Sequence, residues 1–399
     1  EMRHRVEKIL GNGSRGMWVG TFHGLAHRLL RLHHREAGLP EGFQVLDSDD
    51  QLRLVKRIAN EMELDEGRFP RKQIVWWINA QKDEGRRPKH IQVPGGDFFT
   101  KTILLVYEAY EARCQRSGLV DFAEILLRAH ELLLEHDALL HHYQNRFKHL
   151  LIDEFQDTNS IQYAFVRVLA GETGQVFIVG DDDQAIYGWR GAKVENVQRF
   201  LRDYPGAQTI RLEQNYRSTG NILAAANAVI AHNPERLGKN LWTSSGEGES
   251  IDLYAAYNEV DEARYIVERI QAHIRQGGSA RECALLYRSN AQSRALEEQL
   301  IQAGMPYRVY GGLRFFERAE IKDALAYLRL ISNRDDDPAF ERAVNTPARG
   351  IGDKTLERKT LAVRRALELH GSEPGVELLA RIAGVLVRRV RQCVQVVRP

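Results

Sequence analysis

Apolar positions along the 399-residue chain follow two patterns, helical spacing and short continuous runs. Apolar residues three or four positions apart predict a helix capped by Thr21 and further helices over residues 36–116. Short apolar runs at residues 150–152 and 176–179, each followed by acids, predict buried strands that end in carboxylates. A helix predicted over residues 161–169 connects the two runs, which is typical of a parallel α/β sheet.

The later part of the chain repeats this alternation. Residues 251–257 and 283–290 predict strands on either side of a helix at residues 261–274, which makes a second α/β unit. Shorter strands are predicted at residues 17–19 and 209–212. The pattern therefore predicts an α/β protein with two sheet-containing units and long helical stretches.

Composition adds little to this picture but excludes some classes. The net charge is +2, with 43% hydrophobic and 28% charged residues, which is ordinary for a globular protein. The three cysteines, Cys114, Cys283 and Cys393, form no CxxC pair, so neither a disulfide framework nor a zinc site is expected. No apolar run is long enough to span a membrane. We therefore expect a cytoplasmic protein.

The acidic strand ends are the first candidate chemistry. Asp153 and Glu154 follow the first apolar run, within the string LLIDEFQDTN. One acid in such a place can hold hydrated Mg²⁺ while the other activates a water, although an acidic turn after a core strand would look the same. The second run ends in GDDDQ, residues 180–184, whose three consecutive acids would repel one another without a cation or a basic partner.

Candidate nucleic-acid contacts lie close to these acids in sequence. Tyr187, Trp189 and Arg190 combine aromatic rings with a guanidinium, as base stacking on single strands requires, although such a tryptophan can also be a packing residue. Thr21 and His23 offer a hydroxyl and an imidazole at a helix N-terminus, which suit phosphate but fit a simple capped helix equally well.

Five strings occur in one order along the chain: TFH, LLIDEFQDTN, GDDDQAIYGWRGA, NYRS and the segment at residues 307–331. In this order they resemble the boxes of the UvrD/PcrA/Rep family of superfamily 1 DNA helicases, and most closely its UvrD and PcrA branches. The resemblance is nearly continuous over residues 1–356.

The resemblance implies an α/β fold with tandem RecA-like P-loop NTPase domains, mostly helical insertions called 1B and 2B, and truncation at both ends. Domain 1A would comprise residues 1–35 and 117–210, with an ATP-binding region at about residues 1–218. Insertion 1B would comprise residues 36–116. Domain 2A would begin at residues 211–333, and residues 334–399 would start 2B.

The resemblance also implies roles in ATP hydrolysis, with ATP and Mg²⁺ as cofactors. Asp153 would hold Mg²⁺, and Glu154 would be the general base. Gln184 would contact the γ-phosphate and the attacking water. Arg217 would be an arginine finger, and Tyr216 would stack on the adenine.

Family residues that contact DNA are carried over in the same way. The implied partners are single-stranded DNA and single-strand/double-strand junctions, with 3′-to-5′ movement in repair or replication restart and with repair proteins as possible further partners. The implied contact residues are Thr21, His23, Tyr187, Trp189, Arg190, Gly350 and Gly352.

Two departures limit the resemblance. No GxxxxGK[ST] string occurs in the sequence, and the family boxes V and VI are also missing. We interpret the chain as a fragment and expect it to be inactive alone. Two alternatives stay open: a subunit of a RecB- or AddA-like helicase–nuclease, and a non-catalytic DNA-binding derivative of a helicase.

Overall fold

The computed structural model describes residues 2–11, 16–93, 95, 97–233, 236, 238–310, 319–332, 336–347 and 349. The chain divides between Ser250 and Ile251 into two compact units. The family-derived boundaries within each unit remain predictions. No helix in the described part of the chain is both long and apolar enough to cross a bilayer.

The first unit alternates helices with four short strands. Its elements, in chain order, are α1 (Met2–Leu10), α2 (Phe22–Leu32), β1 (Gln44–Val45), α3 (Ser48–Glu61), α4 (Arg71–Asp83), α5 (Phe98–Ser117), β2 (Leu119–Val120), α6 (Phe122–Glu135), α7 (Asp137–Arg146), β3 (His149–Ile152), α8 (Ser160–Ala170), β4 (Gln175–Ile178), α9 (Glu195–Asp203) and α10 (Gly220–Ile230). The predicted helices after Thr21 and at residues 161–169 are thus confirmed, and both segments that precede acids form strands. Their predicted full burial is wrong, because side chains alternate between the faces of a strand and Leu151 and Phe177 are exposed.

Two parallel strand pairs organise this unit. β3 pairs with β4 in the register Leu150↔Val176 and Ile152↔Ile178, and α8 crosses between them as predicted. β1 pairs with β2, Gln44 opposite Leu119, so this ladder joins the two ends of the helical region α3–α5. A helical excursion closed at its base by a ladder is compatible with an inserted subdomain.

Three apolar clusters hold the first unit together. α2, α6, α7 and α8 pack around one cluster, and α3, α4 and α5 pack around a second. The third lies between β3, β4, α8 and α9 and includes Ile152, Phe155, Tyr163 and Phe200. Burying a side chain of this size contributes about 1.5–3 kcal/mol. The third cluster therefore fixes the positions of the strand ends that carry the acids.

Some predicted features are wrong. In the described part of the chain, residues 17–19, 209–212, 251–257 and 283–290 form no strand. A strand requires a hydrogen-bonded neighbour, and residues such as Leu253 and Leu286 are almost fully exposed. A sequence pattern shows apolar alternation within a segment, but it does not show whether another strand lies beside that segment.

Trp76 and Trp77 are adjacent on α4, and the helical pattern of the sequence favours a core position over a base-stacking platform for both. Trp77 packs against the second cluster, which confirms the prediction for that residue. Trp76 is 65% exposed, so for it the core prediction is wrong. Adjacent residues on a helix point about 100° apart, and only one of the two can face the core.

The second unit contains four described helices: α11 (Glu259–Arg275), α12 (Ser293–Gln302), α13 (Ala319–Ser332) and α14 (Asp337–Ala343). α13 and α14 pack through Ala326, Ala339 and Ala343, whose small side chains allow close approach. Arg342 Nε donates to Asp323 Oδ1 at 2.6 Å and adds a polar contact between the same helices.

Candidate functional site

The carboxyl ends of β3 and β4 lie at one edge of the parallel pair. Asp153 and Glu154 follow β3 directly. The acids of GDDDQ begin three residues after Ile178, the last paired residue of β4. The Val179 N–H donates to Ile152 O at 2.8 Å, and the Phe155 N–H donates to Val179 O at 2.9 Å, which joins the two segments beyond the ladder. Both predicted acidic strand ends therefore lie at the same edge of the parallel pair.

Glu154 has an uncommon backbone conformation. Its φ is +52°, in the left-handed region that a residue other than glycine enters at a cost of roughly 1–3 kcal/mol. The residue ends the strand, and a 3₁₀ turn, Phe155–Asp157, begins immediately after it. Its carboxylate is consequently held at the strand end while Phe155 enters the core beneath.

A chain of hydrogen bonds links Glu154 to the β4 segment. Gln156 Nε2 donates to Glu154 Oε2 at 2.8 Å, and the Asp181 N–H donates to Gln156 Oε1 at 2.9 Å. Gln184 Nε2 then donates to Asp181 Oδ2 at 2.6 Å. The predicted general base and the predicted γ-phosphate sensor therefore belong to one network, which passes through Gln156 and Asp181.

The consecutive acids after β4 have basic partners. Arg236 binds Asp183 through Nε and Nη2, at 2.7 and 2.6 Å, and Lys239 forms an ion pair with Asp181. Burial alone would raise the pKa of Asp181, but the hydrogen bonds from Lys239 and Gln184 lower it below its ordinary value. The sequence left open whether a cation or basic side chains offset the repulsion among the three acids, and the structure shows basic side chains. Arg236 and Lys239 had no motif to mark them.

The acids suit Mg²⁺ in the way that ATP-dependent enzymes bind it. Asp153 is exposed and accepts the Glu154 N–H through Oδ1 at 3.0 Å. Within the described residues no group of three or more His, Cys, Asp or Glu side chains could hold a metal unaided. Mg²⁺ usually keeps several waters and takes one or two carboxylates together with substrate phosphates. Asp153 fits that limited role, and a nucleotide would have to supply further ligands.

Aromatic rings and a guanidinium follow on the same segment. The 3₁₀ turn Gly188–Arg190 places the Arg190 Cζ 4.5 Å from the ring centroid of Trp189 and 5.2 Å from that of Tyr187. Trp189 is 67% exposed, so it is not a packing residue. An exposed indole beside a guanidinium offers a flat cationic surface of the kind that stacks on bases.

The carboxyl end of α4 contacts residues that follow each acidic segment, which the sequence did not indicate. Asn159 Nδ2 donates to Asp83 Oδ1 at 2.9 Å, and Glu84 forms an ion pair with Lys193 at 2.6 Å. Ser160 Oγ also donates to Glu84 at 3.2 Å. Burial, followed by the charges of Asp121 and Glu84, raises the pKa of Asp83 to about 6.

The TFH segment opens α2 as predicted. Thr21 is the N-cap, and its Oγ1 accepts the Gly24 N–H at 3.2 Å. His23 stacks on Phe122 with ring centroids 4.1 Å apart, and burial lowers its pKa to about 4. His23 is therefore neutral at pH 7 and can offer phosphate a hydrogen bond but no positive charge.

The NYRS segment is an exposed turn. The Asn215 side chain accepts the N–H groups of Arg217 and Ser218 at 2.9 and 2.8 Å, and the Asn215 N–H bonds to Trp242 O. Tyr216 is 80% exposed. Among the described residues neither Tyr216 nor the exposed Arg217 forms a hydrogen bond with the strand-end acids, so the structure does not bring these predicted nucleotide contacts together. Gly350 and Gly352 lie outside the described residues.

Two family models match the chain in tandem. One is described as the UvrD/REP helicase N-terminal domain and matches residues 1–205; the other is described as the UvrD-like helicase C-terminal domain and matches residues 210–371. The chain therefore belongs to the UvrD/REP helicase family, and the expected family and RecA-like fold class are confirmed at that level.

Individual relatives agree with this assignment. The chain is 66% identical over 357 residues to DNA helicase II of Escherichia coli (strain K12), covering 90% of this chain and 49% of that protein. It is 57% identical over 361 residues to DNA helicase II of Haemophilus influenzae, again covering 90% and 49%. It is 39% identical over 395 residues to the ATP-dependent DNA helicase PcrA of Staphylococcus epidermidis (strain ATCC 35984), covering 99% and 54%. The chain spans about half the length of these relatives.

Proposed function

We propose that the chain provides part of an ATP-dependent DNA helicase that moves 3′ to 5′ on single-stranded DNA, in DNA repair or replication restart. The observation that carries the proposal is the network at one sheet edge that joins Glu154 to Gln184. Half-buried Tyr187 and the exposed Trp189 and Arg190 follow on the same segment. A module that only binds DNA has no need of paired acids linked to an amide in this way.

The chemistry is phosphoryl transfer to water. Mg²⁺, held by Asp153 and the nucleotide, would neutralise phosphate charge. Glu154 accepts a proton from the attacking water, and Gln184 orients that water against the γ-phosphate. Arg217 stabilises the charge that develops on the γ-phosphate, and Tyr216 stacks on the adenine. Because Arg217 and Tyr216 are exposed here, their roles require the nucleotide or a closing movement to bring them in.

DNA would bind beside the nucleotide site. Trp189 and Tyr187 stack on bases, Arg190 adds positive charge, and Thr21 and neutral His23 contact phosphate by hydrogen bonds. Single-stranded DNA and its junctions with duplex are the proposed substrates, with repair proteins as further partners. A change at Gln184 on hydrolysis would reach Trp189 through the four residues between them.

Glu154→Gln tests the proposed base. The variant is made in a chimera in which this chain replaces the matching 357-residue part of E. coli DNA helicase II, which supplies the rest of the protein. DNA-stimulated ATP turnover should fall by at least about 100-fold while ATP binding is retained, because the amide cannot accept the proton. Glu172→Gln is the matched control, since Glu172 is exposed in the turn before β4, at the opposite end of the strand. Near-normal turnover in Glu154→Gln would refute the role.

The 399-residue polypeptide by itself should behave differently. It carries no GxxxxGK[ST] string, and phosphoryl transfer depends almost entirely on positioning and charge neutralisation around the phosphates. We therefore propose that it hydrolyses ATP negligibly. A phosphate-release assay with and without single-stranded DNA checks this, and turnover above background that Glu154→Gln abolishes would contradict it.

A further inference from the structure

Among the described residues, Gln156 is the one side chain whose amide forms hydrogen bonds with both acidic segments of the strand edge. Its Nε2 donates to Glu154 Oε2 at 2.8 Å, and its Oε1 accepts the Asp181 N–H at 2.9 Å. The side chain is completely buried. Burying an amide is unfavourable unless its donor and acceptor are both hydrogen-bonded, and these two contacts satisfy one of each. We propose that Gln156 is a positioning residue, which sets the Glu154 carboxylate and ties it to the segment that carries Gln184.

The neighbouring glycine supports this role. A Cβ on Gly180 would lie 2.9 Å from Gln156 Oε1 and 3.4 Å from the backbone nitrogens of Phe155 and Gln156. Any side chain at position 180 would push the amide away from the Asp181 N–H. The absence of a side chain at residue 180 therefore allows the two segments to approach closely enough for one amide to span them.

Gln156 is not needed to hold the turn itself. Asn196 Nδ2 donates to Thr158 O at 2.9 Å, and the Thr158 hydroxyl donates to Phe155 O at 2.7 Å. Phe155 anchors the turn in the apolar core. These contacts fix the backbone after β3 independently of the Gln156 amide, whose two partners both belong to the proposed catalytic network.

The geometry also explains how Glu154 keeps a defined direction at an exposed site. Its backbone is in the left-handed region, and its side chain is accessible to solvent. Without a donor from Gln156, the carboxylate would sample several rotamers. Misplacement of a catalytic group by about 1 Å can reduce a rate about 100-fold. Loss of Gln156 should therefore slow the chemical step and leave nucleotide affinity largely intact.

The inference rests on the proposed role of Glu154, and its test separates the two. In the chimera with E. coli DNA helicase II, Gln156→Met keeps similar volume but removes both hydrogen bonds. We expect kcat for DNA-stimulated ATP turnover to fall about 10–100-fold, with the KM for ATP within about threefold. Gly180→Ala, which displaces the amide from the other side, should lower kcat in the same way.

A double variant tests whether Gln156 acts through Glu154. When Glu154 is already Gln, adding Gln156→Met should change the residual single-turnover rate less than about twofold, because the group that it positions is gone. The matched control is Gln162→Met in the same segment. Gln162 caps α8 through Asn159 and has no contact with Glu154 among the described residues, so this variant should keep kcat within about twofold.

Three results would overturn the inference: an unchanged kcat in both Gln156→Met and Gly180→Ala, a fully additive loss in the double variant, or an equal loss in Gln162→Met. Circular dichroism and thermal unfolding of each variant identify a general folding defect, and Gly180→Ala then decides the question if Gln156→Met is unfolded. Near-normal turnover in Glu154→Gln alone would instead refute the proposed function of the acid.

Discussion

Lys82 is the only fully buried lysine in the described part of the chain, and its loss gives the sharpest stability prediction. Its Nζ lies 2.6 Å from Asp121 Oδ2 and 3.0 Å from Glu124 Oε2, and all three side chains are at most 5% exposed. The Tyr110 hydroxyl also donates to Asp121 Oδ2, at 2.8 Å. Burial alone would lower the pKa of Lys82, but the carboxylates of Asp121 and Glu124 raise it above its ordinary value. The pair joins α4 to the start of α6.

Lys82→Met leaves the Asp121 carboxylate buried without its cation, whereas Glu124 keeps Arg87 and Arg128 as partners. Removing one member of a buried pair costs about 3–5 kcal/mol. For a unit of about 250 residues each kcal/mol lowers the melting temperature by about 2–4 °C. We therefore expect a loss of about 6–20 °C. Adding Asp121→Asn removes the orphaned charge, keeps the helix cap and should restore part of the loss.

Differential scanning calorimetry of the 399-residue chain measures the effect, with urea unfolding as a second measurement. Lys72→Met on the same helix is the matched control, because Lys72 is exposed and its loss should change stability by less than about 0.5 kcal/mol. A Lys82→Met melting temperature within about 2 °C of the unmodified chain would refute the reasoning. So would a double variant less stable than Lys82→Met, since it would show that the orphaned charge is not the cause.

Two further predictions concern DNA binding and pH. In the chimera, Trp189→Ala should weaken binding of single-stranded DNA about 5–150-fold, because about 1–3 kcal/mol of stacking is lost. Trp189→Phe keeps an aromatic ring and should weaken binding less. Fluorescence anisotropy measures both affinities, and equal affinities of the two variants would exclude stacking. For Asp83, the folded pKa of about 6 exceeds the ordinary value of 3.8, so its contribution to stability is complete below about pH 4 and is lost as the pH rises through 6. Asp83→Asn keeps an acceptor for Asn159 and should stabilise the chain by about 1–2 kcal/mol at pH 7. It should also make the free energy of unfolding less dependent on pH between about pH 4 and 6. Urea unfolding at about pH 4, 6 and 7 checks this, and an unchanged pH dependence would show that Asp83 is not the titrating group.

Local patterns predicted the elements near the site correctly. The apolar runs before Asp153 and before the GDDDQ acids become a parallel strand pair, because two strands joined by one crossover helix usually lie side by side in parallel. Thr21 caps α2 as its position indicated. By contrast, the strands predicted at residues 251–257 and 283–290 are not formed in the described chain, because their hydrogen-bonding neighbours cannot be read from their own residues.

Site partners distant in sequence could not be predicted. Arg236 is 53 residues from Asp183, and Asp83 is 76 residues from Asn159. Neither lies in a motif, and a lone charged residue is far more often solvated than paired. Gln156 lies inside the string LLIDEFQDTN, but its role depends on which groups its amide nitrogen and oxygen contact. The packing of β3 against β4 determines those contacts.

The sequence alone determined the class of protein, the order of its motifs and the acids that end two strands, because those properties reside in local strings and spacing. Only the tertiary structure decided which side chains neutralise those acids, which amide links Glu154 to Gln184, and that His23 is partly buried and uncharged. The physical reason is that charge state and hydrogen bonding depend on burial and on neighbours from other segments. Folding creates that environment, and no single stretch of the chain contains it.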